Sequence, residues 1–126
     1  MPAMLEHANI TVSDPAATAA WMETLFGWHI RWQGDAIMGG HTKHVGTNSH
    51  YVALYSPDRV NAPTDDNYQT VGGLNHLAVV VDDLDTTEAA IKAHGFKTEN
   101  HGTYEPGRRF YFHDGDGIEY EVVQYD

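Results

Sequence analysis

The chain has 126 residues, 41% of them apolar and 20% charged, and it contains no cysteine. That is enough for one domain or for two half-size modules sharing a core, and the composition is that of a globular chain rather than a disordered one. Eighteen acidic residues against seven Lys and Arg give a formal charge of −11; this field repels nucleic acid and anionic lipid, and the missing cysteines exclude disulfides, thiolate metal sites and a cysteine nucleophile.

No apolar run approaches the ~20 residues that span a bilayer, and no charged-then-apolar leader opens the sequence. A cytoplasmic location is the expectation, although an exported protein with its leader removed would read the same way.

The first predicted element is the strand in "LEHANITVSD", residues 5–14. Alternation puts His7 with Leu5, Asn9 and Thr11 on one face and Ala8, Ile10 and Val12 on the other. A helix follows, with Asp14 as cap, Pro15 in the first helical position and Gly27 at the left-handed stop. Thr18, Trp21, Met22 and Leu25 recur at helical spacing along it. Three extended runs come next: "WHIRWQ", "AIMGGHTKHV" and "HYVALY". Parity in the first puts Trp28, Ile30 and Trp32 on one face, as core. In the second, Gly39 and Gly40 mark a bulge or a close backbone approach. Residues 56–73 carry Pro, Gly and few apolar side chains and read as a linker.

The pattern then returns. A shift of 69 residues aligns Leu5 with Leu74, His7 with His76, Val12 with Val81, Asp14 with Asp83 and Thr18 with Thr87. A second helix is predicted from the capping box "DTTE", with Asp85 in the cap position, an apolar face at Ala90 and Ile91, and Gly95 at its end. A weak "FKTEN" run, "RRFYFH" and "IEYEVVQY" follow, the last two separated by "DGDG". Both halves therefore read β-α-β-β-β, which predicts an α+β fold with helices on one face of a mainly antiparallel sheet.

The repeated histidines raise the functional question. In each copy the fully apolar strand face belongs under the helix, so His7 and His76 point the other way. In the last strand Glu119 and Glu121 share one face with Val123 and Tyr125. Two imidazoles and one carboxylate make the facial triad that holds a divalent transition metal and leaves positions open. Parity alone does not choose between Glu119 and Glu121. Of the H-x-x-H pair, His41 and His44, a strand turns only one toward any given face, so the two are not joint ligands. His29, His50, His94 and His101 have no constellation around them and read as surface residues.

These residues resemble the vicinal oxygen chelate superfamily, the glyoxalase/bleomycin resistance protein/extradiol dioxygenase family. The resemblance spans almost the whole chain and rests on "LEHANITVSDPAATAAWMETLFGW", "LNHLAVVVDDLD" and "FYFHDGDGIEYEVV". It implies two βαβββ modules forming an incomplete barrel around a shared cavity: module 1 about 1–56, a linker about 57–72 and module 2 about 73–126. It also implies metal ligands His7, His76 and Glu121, the last because the family's Glu stands four residues beyond the final Gly of the turn, here Gly117. Gly115 replaces the family's proline, and Ala53 occupies the place where glyoxalase I-like members carry a fourth ligand, which disfavours that activity. By the same resemblance Tyr111 faces the cavity; Arg109, on its face, would receive a substrate anion, with Asn9 and Thr11 also lining the substrate site. Tyr111 or His41 would move a proton. One divalent ion (Fe, Mn or Zn), a small-molecule substrate bound through neighbouring oxygens and a homodimer complete the expectation. The reaction type, whether lyase, isomerase, thiol transfer or dioxygenase, stays open. The rival reading is a non-enzymatic module that sequesters a small molecule, as bleomycin-binding members do.

Overall fold

Two stretches of chain build the same pattern in turn. In the computed structural model, which describes residues 1–126, the first gives β1 (His7–Thr11), α1 (Pro15–Phe26), β2 (His29–Ala36), β3 (Gly40–Gly46) and β4 (Tyr51–Ser56). The second gives β5 (Leu77–Val80), α2 (Leu84–His94), β6 (Thr98–Tyr104), β7 (Gly107–His113) and β8 (Glu119–Tyr125). The chain divides into two compact units, Met1–Asn61 and Ala62–Asp126, and the division falls inside the segment read as linker. Each unit is a four-stranded mixed sheet with one helix, ordered β1-β4-β3-β2 and β5-β8-β7-β6. The fold is α+β, made of two βαβββ modules.

Local chemistry explains both helices. Asp14 has extended backbone and its side chain accepts from the Ala17 N–H at 3.1 Å; Pro15 opens α1, and Gly27 closes it at φ 71°. In the second copy the cap is Asp83, which accepts from the Thr86 N–H at 3.0 Å. The expected cap, Asp85, instead lies in the first turn and pairs with Arg108 at 3.1 Å. Asp83 is the repeat mate of Asp14, and Leu84, the first helical residue, is buried at 4% exposure. Starting the helix at Leu84 buries that side chain, so the capping box loses to the duplication. Ala90 is exposed, and the packed face of α2 is carried by Leu84 and Ile91. Neither helix is long and apolar enough to cross a membrane.

Each sheet packs one face under its helix. In the first unit that face carries Val12, Val45 and Leu54, against Ala19, Trp21 and Met22 of α1. In the second it carries Phe110, Phe112, Tyr120 and Val122, with Leu84 and Ile91 of α2. The rings of Phe96, Phe112 and Tyr120 stack in succession, 5.5 and 5.1 Å apart. β1 runs parallel to β4, and β5 to β8; the remaining pairings are antiparallel.

Parity fails at one place in β2. A bulge between Ile30 and Trp32 inserts Arg31, and Trp32 pairs with His44 rather than continuing the face of Ile30. Trp32 is 53% exposed instead of being core. Trp28 is half-buried against Phe26 and His50. Of the two purposes expected of the Gly39–Gly40 pair, a bulge or a close backbone approach, the structure shows the close approach, and a turn in place of the bulge. Gly39 takes φ 65° in the β2–β3 turn, and a Cβ on Gly40 would stand 2.2 Å from the Ser56 carbonyl oxygen across the β3–β4 pairing.

Candidate functional site

In the second unit the site is built on the sheet face turned away from α2. The tight connection between β7 and β8 sets its register. Asp114 accepts from the backbone N–H groups of Asp116 and Ile118 at 2.9 and 3.0 Å and from the Tyr120 hydroxyl at 3.0 Å. Gly117 supplies the positive φ of the turn, at 80°. Burial raises the Asp114 pKa even against these three donors. With the turn fixed, Tyr111 lies opposite Glu121, His113 opposite Glu119 and Arg109 opposite Val123. On the other side of β8, Ala78 of β5 pairs with Glu121, and His76 immediately precedes β5.

Glu119 and Glu121 are both buried, at 9% and 8% exposure, so their charges need partners. They find different ones. Glu121 Oε1 lies 3.0 Å from Nε2 of His76, and its Oε2 accepts from the Arg109 guanidinium at 2.8 Å. Glu119 accepts from the Tyr68 hydroxyl through Oε1, and its Oε2 is 3.5 Å from His113 Nε2. His113 in turn places Nδ1 3.1 Å from Glu99. The other nitrogen of His76, Nδ1, is buried without a hydrogen-bond partner, 3.9 Å from Glu119 Oε1. The hydrogen bond to Glu119, with burial, pushes the Tyr68 hydroxyl up to about 12. Tyr111 stands edge-on to the His76 ring, 5.5 Å between centroids. Burial first, then the charge of Glu121, raises its pKa, so its hydroxyl keeps its proton at neutral pH.

The first unit offers a row of rings on the corresponding face. His7 stacks on Tyr51 at 4.7 Å, His44 stacks on Tyr51 at 4.5 Å, and Trp32 packs on His44 at 5.1 Å, so β1, β4, β3 and β2 each supply one ring. Gly46, opposite Tyr51, has no side chain there. Arg31 lies with its guanidinium carbon 4.6 Å from the centre of the Tyr51 ring and donates to the Thr47 carbonyl at 3.0 Å. Nδ1 of His7 meets Glu6 Oε1 at 2.9 Å. In the tautomer that donates from Nδ1 to Glu6, Nε2 carries the lone pair, the arrangement a carboxylate partner favours in a ligating histidine. Asn9 and Thr11 share the His7 face and are exposed, opposite Ala53 and Tyr55.

Register also decides between the two histidines of β3. His44 pairs with Ala53 and so lies on the His7 face, whereas His41 pairs with Ser56 on the opposite parity and is exposed at the strand's start. Of the two, it is therefore His44 and not His41 that shares the His7 face. Burial first, with the charge of Arg31 adding, lowers the His44 pKa and favours the neutral imidazole. Asn9 and Ala78 are repeat mates, and they pair with Ala53 and Glu121 respectively. Ala53 thus stands in the first unit where Glu121 stands in the second, and His44 where Tyr111 stands.

Glu6, Tyr51 and Tyr68 were not expected at a site. Glu6 could have been found as a carboxylate beside a candidate ligand, and Tyr51 as the residue opposite His7 in a parallel pair. Tyr68, inside a loop without periodicity, carries no sequence signal.

Within neither unit do three His, Asp or Glu side chains gather in an arrangement that could hold a metal. The donor chemistry of the second unit nevertheless fits two ligands of one. His76 Nε2 and Glu121 Oε1 form an ion pair at 3.0 Å, and donors in adjacent positions of a six-coordinate ion, at ~2.1 Å each, would stand about as far apart. The carboxylate is itself hydrogen-bonded through its second oxygen, as ligating carboxylates are.

A tandem βαβββ repeat with a histidine at the same place in both copies, and a carboxylate on the last strand of the second, defines a class of protein. The chain belongs to the Glyoxalase/Bleomycin resistance protein/Dioxygenase superfamily, whose sequence profile matches residues 4–122. Solved structures agree on the fold. The glyoxylase/bleomycin resistance protein/dioxygenase domain from Frankia sp. EAN1pec is 20% identical with a TM-score of 0.84, the match covering 100% of this chain and 94% of that one. The fosfomycin resistance protein FosX from Listeria monocytogenes, complexed with Mn(II) and sulfate ion, is 20% identical with a TM-score of 0.74, covering 100% and 95%. TnmS3, an antibiotic binding protein from Streptomyces sp. CB03234, is 18% identical with a TM-score of 0.73, covering 99% and 98%.

Proposed function

We propose that the protein is a divalent-metal-dependent enzyme acting on a small substrate that binds through neighbouring oxygens. The observation that carries this reading is the 3.0 Å approach of His76 Nε2 to Glu121 Oε1 on a buried strand face. His76 and Glu121 would hold the ion, with His7 as the third ligand that the sequence pattern implies; the Glu6 contact leaves the His7 Nε2 lone pair for that purpose. The Mn(II) bound by the FosX relative supports an ion of this class.

When bound, a divalent ion supplies Lewis-acid stabilisation of negative charge developing on a substrate oxygen. The chain's own groups cover the proton chemistry. Tyr111, kept protonated by burial and by Glu121, is a hydrogen-bond donor to a substrate oxygen. His44, favoured as the neutral imidazole, is a proton acceptor. Asn9 and Thr11 offer exposed polar side chains on the His7 face for substrate contacts. The test is turnover of small molecules carrying adjacent oxygens, assayed with metal, after chelation and after metal is restored. Activity that follows the metal is expected; turnover undiminished by complete chelation would contradict the reading.

The ring row of the first unit favours a second reading, a module that sequesters a planar small molecule without turnover, as the antibiotic-binding relative suggests. A sequestering module retains its ligand after chelation, which separates the two.

A further inference from the structure

We propose that Arg109 is a positioning residue for Glu121, holding that carboxylate so that a single oxygen is offered beside His76. The inference rests on the metalloenzyme reading and replaces the anion-receptor role that the sequence pattern implied for Arg109. Three features of the second unit carry it. First, the Arg109–Glu121 contact is a charge-assisted hydrogen bond of 2.8 Å between side chains only 14% and 10% exposed, so it is sheltered from the solvent that weakens surface pairs. Second, the two carboxylate oxygens are divided: Oε2 is taken by Arg109, and Oε1 faces His76 Nε2. Third, the guanidinium is itself held. Its carbon lies 4.7 Å from the centre of the Tyr104 ring, and that ring fits there because Gly102 stands opposite Arg109. A Cβ on Gly102 would meet the Tyr104 ring at 2.6 Å and the Arg109 stem at 3.4 Å.

An arginine braced by a ring and neutralised by a buried glutamate is poorly placed to swing toward an incoming anion. It is well placed to fix the carboxylate. Of its nitrogens, NH1 is committed to Glu121. The effect of such outer partners on metal affinity is about 10–100-fold.

The experiment measures Mn(II) affinity by electron paramagnetic resonance, and the visible spectrum with Co(II), for the full chain and for Arg109→Met and Arg109→Lys. The Mn(II) Kd is expected to rise about 10–100-fold in Arg109→Met. In Arg109→Lys the rise is intermediate, because a lysine restores the charge but not the flat guanidinium that packs on the Tyr104 ring. The Co(II) spectrum of both variants is expected to change as the released Oε2 joins the coordination sphere. A change in fold stability alone would leave that spectrum untouched. Should Arg109→Met fail to fold, Arg109→Lys decides. A folded variant with wild-type Mn(II) affinity and an unchanged Co(II) spectrum would overturn the positioning role while leaving the metal site standing. A wild-type chain that takes up neither ion would overturn both.

Discussion

At the scale of single residues, the site of the second unit is a set of shared carboxylates. Glu119 and Glu121 are two apart on β8; Glu121 pairs with Nε2 of His76 at 3.0 Å, whereas Glu119 stands 3.9 Å from the unpartnered Nδ1. Sequence parity placed both on one face but could not divide their work, because the division depends on Tyr68, His113 and Arg109 arriving from elsewhere. Tyr68 reports on that arrangement. Its hydroxyl is pushed up to about 12 by the hydrogen bond to Glu119 and by burial. Removing the anion in Glu119→Gln is expected to bring Tyr68 back toward its ordinary value of ~10, followed by NMR of ring-labelled tyrosine. An unchanged titration would show that Glu119 does not hold it. The H-x-x-H pair teaches a related lesson. Strand parity showed that only one of the two histidines faces the site, but choosing His44 over His41 needed the β3–β4 register, which no local pattern encodes.

At the scale of elements, the helix and strand order was legible because duplication repeats its own signals: a strand, an aspartate, a helix, a glycine. What misled was a strong local motif. The capping box at Asp85 is a sound start signal, yet the cap falls two residues earlier, at Asp83, so that the helix starts with Leu84 in the core. Asp83→Ala is therefore expected to lower the melting temperature, and Asp85→Ala, which loses only the exposed pair with Arg108, to change it little. Equal losses would contradict the assignment. The bulge at Arg31 is the other illegible feature, since one inserted residue reverses parity beyond it and brings Trp32 out to His44.

α2 and β6 are joined by an acid whose titration should be visible. Burial alone would raise the Glu88 pKa, but hydrogen bonds from Thr98 and His101, with the charges of His101 and Lys92, outweigh it and hold the carboxyl below its usual range. A depressed carboxyl contributes stability above its unfolded value, ~4.3, and loses it as pH falls through the folded value. Glu88→Gln is expected to melt lower than the wild type at pH 7, with the difference closing as the pH is taken below about 4. A difference that is constant across that range would show that the ion pair does not couple to folding.

At the scale of the whole molecule, net charge dominates. A formal −11 on 126 residues opposes compaction through self-repulsion, whereas exposed ion pairs such as Arg108–Asp85 contribute little. Added salt screens repulsion and attraction alike, and here repulsion is the stronger of the two. Thermal stability is expected to rise as NaCl is raised from a few millimolar to about 0.15 M, where the screening length has fallen to ~8 Å. A falling melting temperature would mean that attractive pairs outweigh repulsion. The architecture itself was the most legible level, because a 69-residue repeat and the family pattern each pointed to two βαβββ modules. The least legible was the loop that carries Tyr68, where neither period nor composition marks a contact with β8.

The central claim is that His76 and Glu121 hold a metal. It is tested most directly by elemental analysis of protein purified without chelator or nickel, beside His76→Ala and Glu121→Ala. Near one equivalent of Fe, Mn or Zn in the wild type, lost in both variants, is the expected result. A wild-type chain that holds no metal, even after soaking with each ion in turn, would contradict it and bring the sequestering module forward.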